Sequence, residues 1–313
     1  MIKLILRRLA LSVPVVLVVS ALSFVLIDLL PGNAASALLG PSASAQQITQ
    51  LTHSLGLDRP IWVQYWHWLV HLAHGNLGVS LENGQSVTSL LNPGLGVSIS
   101  LLVGALIGAV IVGGAVGIFS AARPGVLSRI LDIGIIGGLA MPAFWLALIL
   151  VLLLSTDAHL LPALGYVSPS TSPVQWARFL VLPWIALGAT MATTVAKQTR
   201  DGMSDALSSP FVVSLRANGV PERTIIFKHA LRNASIPVVT VISVLFVSAL
   251  TTAVIAEQIF SLPGLGSAVV QATTNRDIPV IQGVALYLTL IVVAVNLLVD
   301  LAYGWLNPKV RVS

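Results

Sequence analysis

The chain has 313 residues, of which 56% are hydrophobic and 9% charged; it has no cysteine and a formal net charge of +5. Soluble domains carry about 25% charged residues, so a chain with mean hydropathy +0.94 has too little polar surface to face water all round. The positive charge does not argue for a nucleic-acid partner, because the basic residues sit at the ends of apolar runs rather than among aromatics. Absence of cysteine excludes disulfides, a thiolate nucleophile and cysteine-based metal sites.

Six apolar spans are predicted, near 9–30, 97–121, 130–154, 179–199, 236–256 and 281–304. About 20 residues at 1.5 Å each cross the ~30 Å hydrocarbon core, and each span is that long or longer. The first follows Arg7 and Arg8 like a signal peptide, but its apolar run is too long for one, and it is expected to stay in the mature protein. Orientation comes from the basic residues. Lys3, Arg7, Arg8, Arg123, Arg129, the group from Lys197 to Arg232, Lys309 and Arg311 put thirteen on one side; only Arg59, Arg178 and Arg276 fall on the other. The positive-inside rule then places both termini in the cytoplasm. Gly104/Gly108, Gly113/Gly117 and Gly134/Gly138 recur at four-residue spacing, which suits close helix packing. Pro14, Pro142 and Pro183 are expected to bend helices locally.

Residues 31–96 form an extracytoplasmic segment. Within it Trp62, Trp66, Leu69 and Ala73 make one helical stripe, as expected of an amphipathic helix at the membrane interface. His67, His71 and His74 share the opposite side, and imidazoles so spaced are candidates for Zn²⁺ or Ni²⁺. No acidic residue completes such a site within the helix, so solvated histidines are the expectation and no metal is assigned.

Residues 200–235 form the sizeable cytoplasmic loop. Ser209 is placed to cap a helix, Pro210 suits its first turn, and Phe211–Asn218 continues it until Gly219, the natural left-handed C′ residue. Two turns are too short to be stable alone in water. Phe211, Val212 and Leu215 give this helix an apolar face, which suits either another protein's groove or the inner leaflet. Pro221-Glu222 starts a second helix that runs towards the fifth span. Asp28, Asp132, Asp157, Glu257 and Asp300 all lie near span ends, where a charge reaches interfacial water. Glu257 and Gln258, at the outer end of the fifth span, are the pathway candidates for a zwitterionic substrate, with helix anchoring as the alternative.

Residues 211–240, FVVSLRANGVPERTIIFKHALRNASIPVVT, resemble the loop with a characteristic glycine in the membrane subunits of ABC importers. RRLALSVPVVLVVSALSFVLIDLLPGN at 7–33, LGLDRPIWVQYWHWL at 55–69, GNLGVSL at 75–81, MPAFWLALIL at 141–150, LPALGY at 161–166, EQIFSLPGLG at 257–266 and RDIPVIQG at 276–283 are similar to blocks of the B-type permease subunit of dipeptide and oligopeptide importers. The resemblance implies an all-α integral membrane protein of the type I importer permease fold, a single permease domain over 1–313. It implies a coupling helix, with Phe211, Val212, Ser214, Leu215, Arg216, Ala217 and Asn218 entering a cleft of an ATPase subunit and Gly219 as the loop glycine. The implied assembly pairs this chain with a related permease subunit, two ATPase subunits that hold ATP and Mg²⁺, and an extracytoplasmic binding protein, in the bilayer of a prokaryotic inner membrane. Dipeptides or oligopeptides are the implied substrates, with glutathione or nickel complexes as alternatives. No cofactor is expected in this chain.

Two other classes fit less well. A secondary transporter driven by an ion gradient would be expected to hold ionisable groups near mid-membrane, and no mid-span acid is present. An intramembrane hydrolase would need a histidine or cysteine at membrane depth, which the spans lack. No Walker A loop occurs, so ATP hydrolysis is expected in partner chains.

Overall fold

The computed structural model describes residues 2–29, 34–39, 43–123 and 125–306. Of the residues singled out above, Lys309 and Arg311 and the side chains of Lys3 and Asp28 lie outside the described residues. The described chain is helical nearly throughout. In order it forms α1 (Ile2–Asp28), α2 (Ala34–Leu39), α3 (Ala45–Ser54), α4 (Ile61–Ala73), α5 (Val87–Ala122), α6 (Val126–Ala140) and α7 (Ala143–Leu150). Then come α8 (Pro173–Ser208), α9 (Pro210–Ala217), α10 (Glu222–Thr224), α11 (Leu231–Ile259), α12 (Leu265–Asn275) and α13 (Ile278–Leu306). Short π-helical stretches extend α7 over Val151–Asp157 and join α10 to α11 over Ile225–Ala230. Among the described residues five helices are long and apolar enough to cross a membrane, or six if one bent pair counts as a single span.

That bent pair is the third predicted span. Residues 130–154 are predicted as one span with a local bend at Pro142, and the chain in fact turns by 103° between α6 and the α7 segment. Pro142 is the cause: it has no N–H to give, and it drives Met141 into extended backbone (φ −89°, ψ 119°). Pro14 and Pro183, in contrast, lie inside continuous helices. The second span also begins earlier than predicted. Helix α5 runs through Pro93 because Val87, Leu91 and Val97 on its first turns are buried and hold them in place.

The chain divides into two compact units, one built mainly from residues 99–262 and the other from 2–98 and 263–293. The first is organised on α8, which packs against α6, α7 and α11. Gly113 and Gly117 let the α5 backbone lie directly on α8. A Cβ at Gly117 would sit 2.6 Å from the Ala196 carbonyl oxygen, and one at Gly113 would run into that of Ala192. The other two glycine pairs divide: Gly104 is covered by the Trp184 ring and Gly138 by Thr193, while Gly108 and Gly134 face open space. Trp184 Nε1 donates to the Ser100 carbonyl at 2.9 Å, so its polar edge is satisfied where the ring is half-buried. A polar clasp ties α5, α6 and α8. Ser120 donates to Asp132 at 2.9 Å, the Ser120 and Ser128 hydroxyls meet at 2.9 Å, and Arg200 Nη2 reaches the other Asp132 oxygen at 2.9 Å.

In the second unit, α4 packs on α1 through Tyr65 and Trp68, both edge-on to Phe24 at centroid distances of 5.2 and 5.5 Å. Tyr65 Oη also lies 3.0 Å from the Ser20 hydroxyl and donates to the Leu17 carbonyl. Asp277 is buried and satisfied by the Ser80 hydroxyl and the Leu81 N–H. Tyr287 donates to Asn92 at 2.7 Å, joining α13 to the start of α5.

Candidate functional site

The loop after α8 is built from the core outward. Met203 and Ala206 of α8 pack against Ala230 and Ala234, with Ile118, Ala121, Leu207, Ile226 and Leu231 around them. This cluster fixes the two ends from which the loop projects. Gly202 makes the approach close, since a Cβ there would sit 3.2 Å from Ala234 Cα.

Helix α9 has eight residues, Pro210–Ala217, with Pro210 in its first turn. Ser209 stands at the N-cap position with extended backbone (φ −75°, ψ 151°), as its sequence context suggests. Its side chain does not cap α9, however; the hydroxyl donates back to the Ala206 carbonyl and so finishes α8 instead. At the other end Gly219 has φ +73°. Its N–H donates to the Arg216 carbonyl at 3.0 Å and the Val220 N–H to the Leu215 carbonyl at 3.1 Å, which together make a Schellman C-cap. Asn218 Nδ2 adds a bond to the Ser214 carbonyl at 2.8 Å.

One contact locks the turn. The Arg216 guanidinium meets the Glu222 carboxylate through two bonds, Nε–Oε2 at 3.1 Å and Nη2–Oε1 at 2.6 Å. The hydrogen bond from Arg216 holds the Glu222 carboxyl below its ordinary range, and the same bond raises Arg216. Six residues separate the two across the Gly219 turn, so neither helical spacing nor strand pairing marks them as partners in the sequence.

The apolar face of α9 is not the one expected. Val212 is fully buried in the chain's own packing and Leu215 is half-buried. Phe211 and Val213 are the apolar side chains left outside, 39% and 60% exposed, with Ser214, Arg216, Ala217 and Asn218 also exposed. Val212 is therefore an anchor for the helix, and Phe211 and Val213 are what it can offer to another surface.

The remaining candidates lie on other elements. His67 and His71 are exposed on α4, and His74 ends it with Nδ1 at 2.8 Å from the Val70 carbonyl. Among the described residues no group of three His, Cys, Asp or Glu side chains is placed to hold a metal ion. Near the end of α11, Glu257 is buried at 1% exposure while Gln258 is exposed.

Comparison with known proteins bears on what this architecture belongs to. Residues 113–312 match the family described as binding-protein-dependent transport system inner membrane component, and residues 1–102 match its N-terminal companion. A Brucella abortus (strain 2308) chain named as a peptide transport system permease protein is 38% identical over 312 residues, covering 98% of both chains. A dipeptide transport system permease protein of Alkalihalophilus pseudofirmus is 36% identical over 97% of this chain and 98% of its own length. A glutathione transport system permease protein of Salmonella choleraesuis is 36% identical over 99% of both. In three dimensions, a chain from inward-facing crystals of the MetNI methionine ABC transporter superposes with a TM-score of 0.56 at 16% identity, over 70% of this chain and 97% of that one. The helical membrane architecture is thus that of an importer permease, and the chain is a multi-pass member of the binding-protein-dependent transport system inner membrane component family.

Proposed function

We propose that this chain is one of two related membrane subunits of an ATP-driven importer for peptides, and that α9 is the element through which ATPase subunits move it. The observation that carries the reading is a two-turn helix held at its C-terminal end and by one buried side chain. It is anchored inward by Val212, closed by a Schellman turn and clamped by Arg216–Glu222, yet it leaves Phe211 and Val213 uncovered. A helix so short cannot hold its own shape in water. Built this way it can be pushed as a rigid body.

In this reading ATP and Mg²⁺ sit in the partner ATPases, and ATP-driven closure presses on α9. The push travels into α8 and α11 through the Met203–Ala206–Ala230–Ala234 packing, and the pathway opens to receive substrate from an extracytoplasmic binding protein. Both termini and α9 lie in the cytoplasm, as the basic residues argue. Three relatives named for peptides, dipeptides and glutathione support a peptide substrate class. Of the two pathway candidates, Gln258 has the accessible side chain; buried Glu257 acts by holding the end of α11.

The test uses the assembled complex in vesicles. Uptake of a labelled peptide should require ATP, the ATPase chains and the binding protein, and should persist when the proton gradient is collapsed. Uptake abolished by collapse alone would overturn the ATP-driven reading. Single cysteines fix the orientation: in intact cells an impermeant thiol reagent should label Ser44→Cys and Ser170→Cys but not Ser208→Cys.

A further inference from the structure

We propose that a groove between α5, α8 and the start of α11 is a binding site for one anionic phospholipid of the cytoplasmic leaflet. The groove has a cavity volume of about 840 Å³. Its walls are almost wholly apolar, among them Val110, Ile111, Ile118, Val238 and Ile242. An apolar groove alone would say nothing about its occupant. Three features choose one.

Length is the first. Along α5 the lining runs from Val110 to Arg123, about 20 Å at 1.5 Å per residue. Half of the hydrocarbon core is about 15 Å thick. The groove therefore has the reach of one lipid leaflet, from headgroup to midplane. Charge is the second. Arg123 lies at the end of the groove where α5 stops, with its guanidinium carbon 5.7 Å from the Phe119 ring centre. Asp132, the nearest acid along the chain, is committed to Ser120 and Arg200. A phosphate meets Arg123 as a bidentate partner. The third is Thr199, which lines the same groove opposite Gly117. Its hydroxyl is buried and has no hydrogen-bond partner among the described residues. Gly117 lies two residues before Phe119, about 3 Å along the helix, and Arg123 folds back over Phe119. Thr199 thus lies towards the same end of the groove as the cation, where the ester carbonyls of a phospholipid follow its phosphate. A helix of the second permease subunit would fill an apolar groove equally well. It would not call for a cation and a lone hydroxyl towards one end of the groove.

The assignment to the cytoplasmic leaflet rests on the orientation proposed above; lipid binding itself does not. The experiment uses the purified, assembled importer complex and native mass spectrometry. Phosphatidylglycerol and phosphatidylethanolamine with identical acyl chains are the probes. Wild type should retain phosphatidylglycerol in preference. Arg123→Gln should lower that preference about fivefold. Gly114→Leu should lose the retained lipid and still assemble, because a Cβ at Gly114 meets nothing within 4 Å and the side chain grows into the groove. Photoreactive phosphatidylglycerol should crosslink to residues 110–123 in wild type and not in Gly114→Leu. Equal retention of both lipids by wild type and variants would overturn the proposal, as would a photoreactive group at Ile111 that crosslinks to the second permease subunit. Reagent access at Ser208→Cys from outside would reverse the leaflet while leaving the lipid site standing.

Discussion

Helices α4 and α9 are both short, both amphipathic, and both leave aromatic side chains uncovered, yet they are held in opposite ways. Helix α4 is fixed along its flank. Tyr65 and Trp68 pack on Phe24 of α1, while Trp62 and Trp66, a third of a turn away, are 71% and 66% exposed. Helix α9 is fixed at its C-terminal end, by the turn around Gly219 and the Arg216–Glu222 pair, with Val212 as its inward anchor. Flank fixing suits a helix lying on an interface, where tryptophan rings rest at headgroup level. End fixing suits a lever, because force applied to the exposed side chains reaches the flanking helices without bending the loop. An exposed apolar face is thus ambiguous by itself, and the proposed uses of the two helices rest on the manner of attachment.

The largest expected break is at the end of α9. Gly219 sits at φ +73° with nothing within 4 Å of where a Cβ would be, so Gly219→Val is strained by backbone conformation alone. Leaving αL costs less than holding a β-branched residue there, about 1–2 kcal/mol or more, so the turn should re-form and misaim the helix. Peptide uptake in vesicles should fall at least about tenfold while ATPase subunits still co-purify and hydrolyse ATP. Gly219→Asn, which tolerates αL, should restore most of the uptake. Equal uptake by wild type and Gly219→Val would remove the lever.

Next comes the division within α9. Truncating Phe211 and Val213 together to alanine should weaken ATPase co-purification by about 1–2 kcal/mol, up to roughly thirtyfold, since both are only partly desolvated when free. Val212→Ala removes buried surface within the chain and should lower its thermal stability by about 1–2 kcal/mol more than Val213→Ala does. If Val212→Ala instead affected only assembly, Val212 and not Phe211 would be the docking residue.

A smaller effect concerns the clamp. The Glu222 carboxyl is held below its ordinary range by Arg216, so the pair stabilises the loop fully above the ordinary carboxylate value and is lost as pH falls through the lowered one. Coupling of hydrolysis to uptake should therefore be flat from pH 6 to 8 and decline only in acid. Glu222→Gln should show the uncoupled behaviour at every pH. A wild-type transition near neutrality would have to come from another group.

The smallest effect is expected on the far side of α4. Replacing His67, His71 and His74 together by alanine should leave peptide uptake within about twofold, as for exposed residues away from packing. A large loss rescued by Zn²⁺ or Ni²⁺ would show that these imidazoles gather a metal in the assembly.

The sequence by itself determined the membrane class, the approximate places of the spans and the position of the Gly219 turn. Each rests on a local or strictly periodic requirement: runs of about 20 apolar residues must cross hydrocarbon, and a left-handed C′ position favours glycine. Tertiary structure alone decided the rest. Pro142 became a 103° break where Pro183 did not: Pro183 is buried in the packing of α8, while Met141 and Pro142 are exposed. Val212 turned inward and Phe211 outward, and Arg216 found Glu222 across a turn that no repeat length spans. Trp68 rather than the Trp62–Trp66 stripe met α1. All four depend on where a second element lies when the first arrives. Spacing along one helix ranks its faces by polarity, but only the neighbouring helix selects which face is covered.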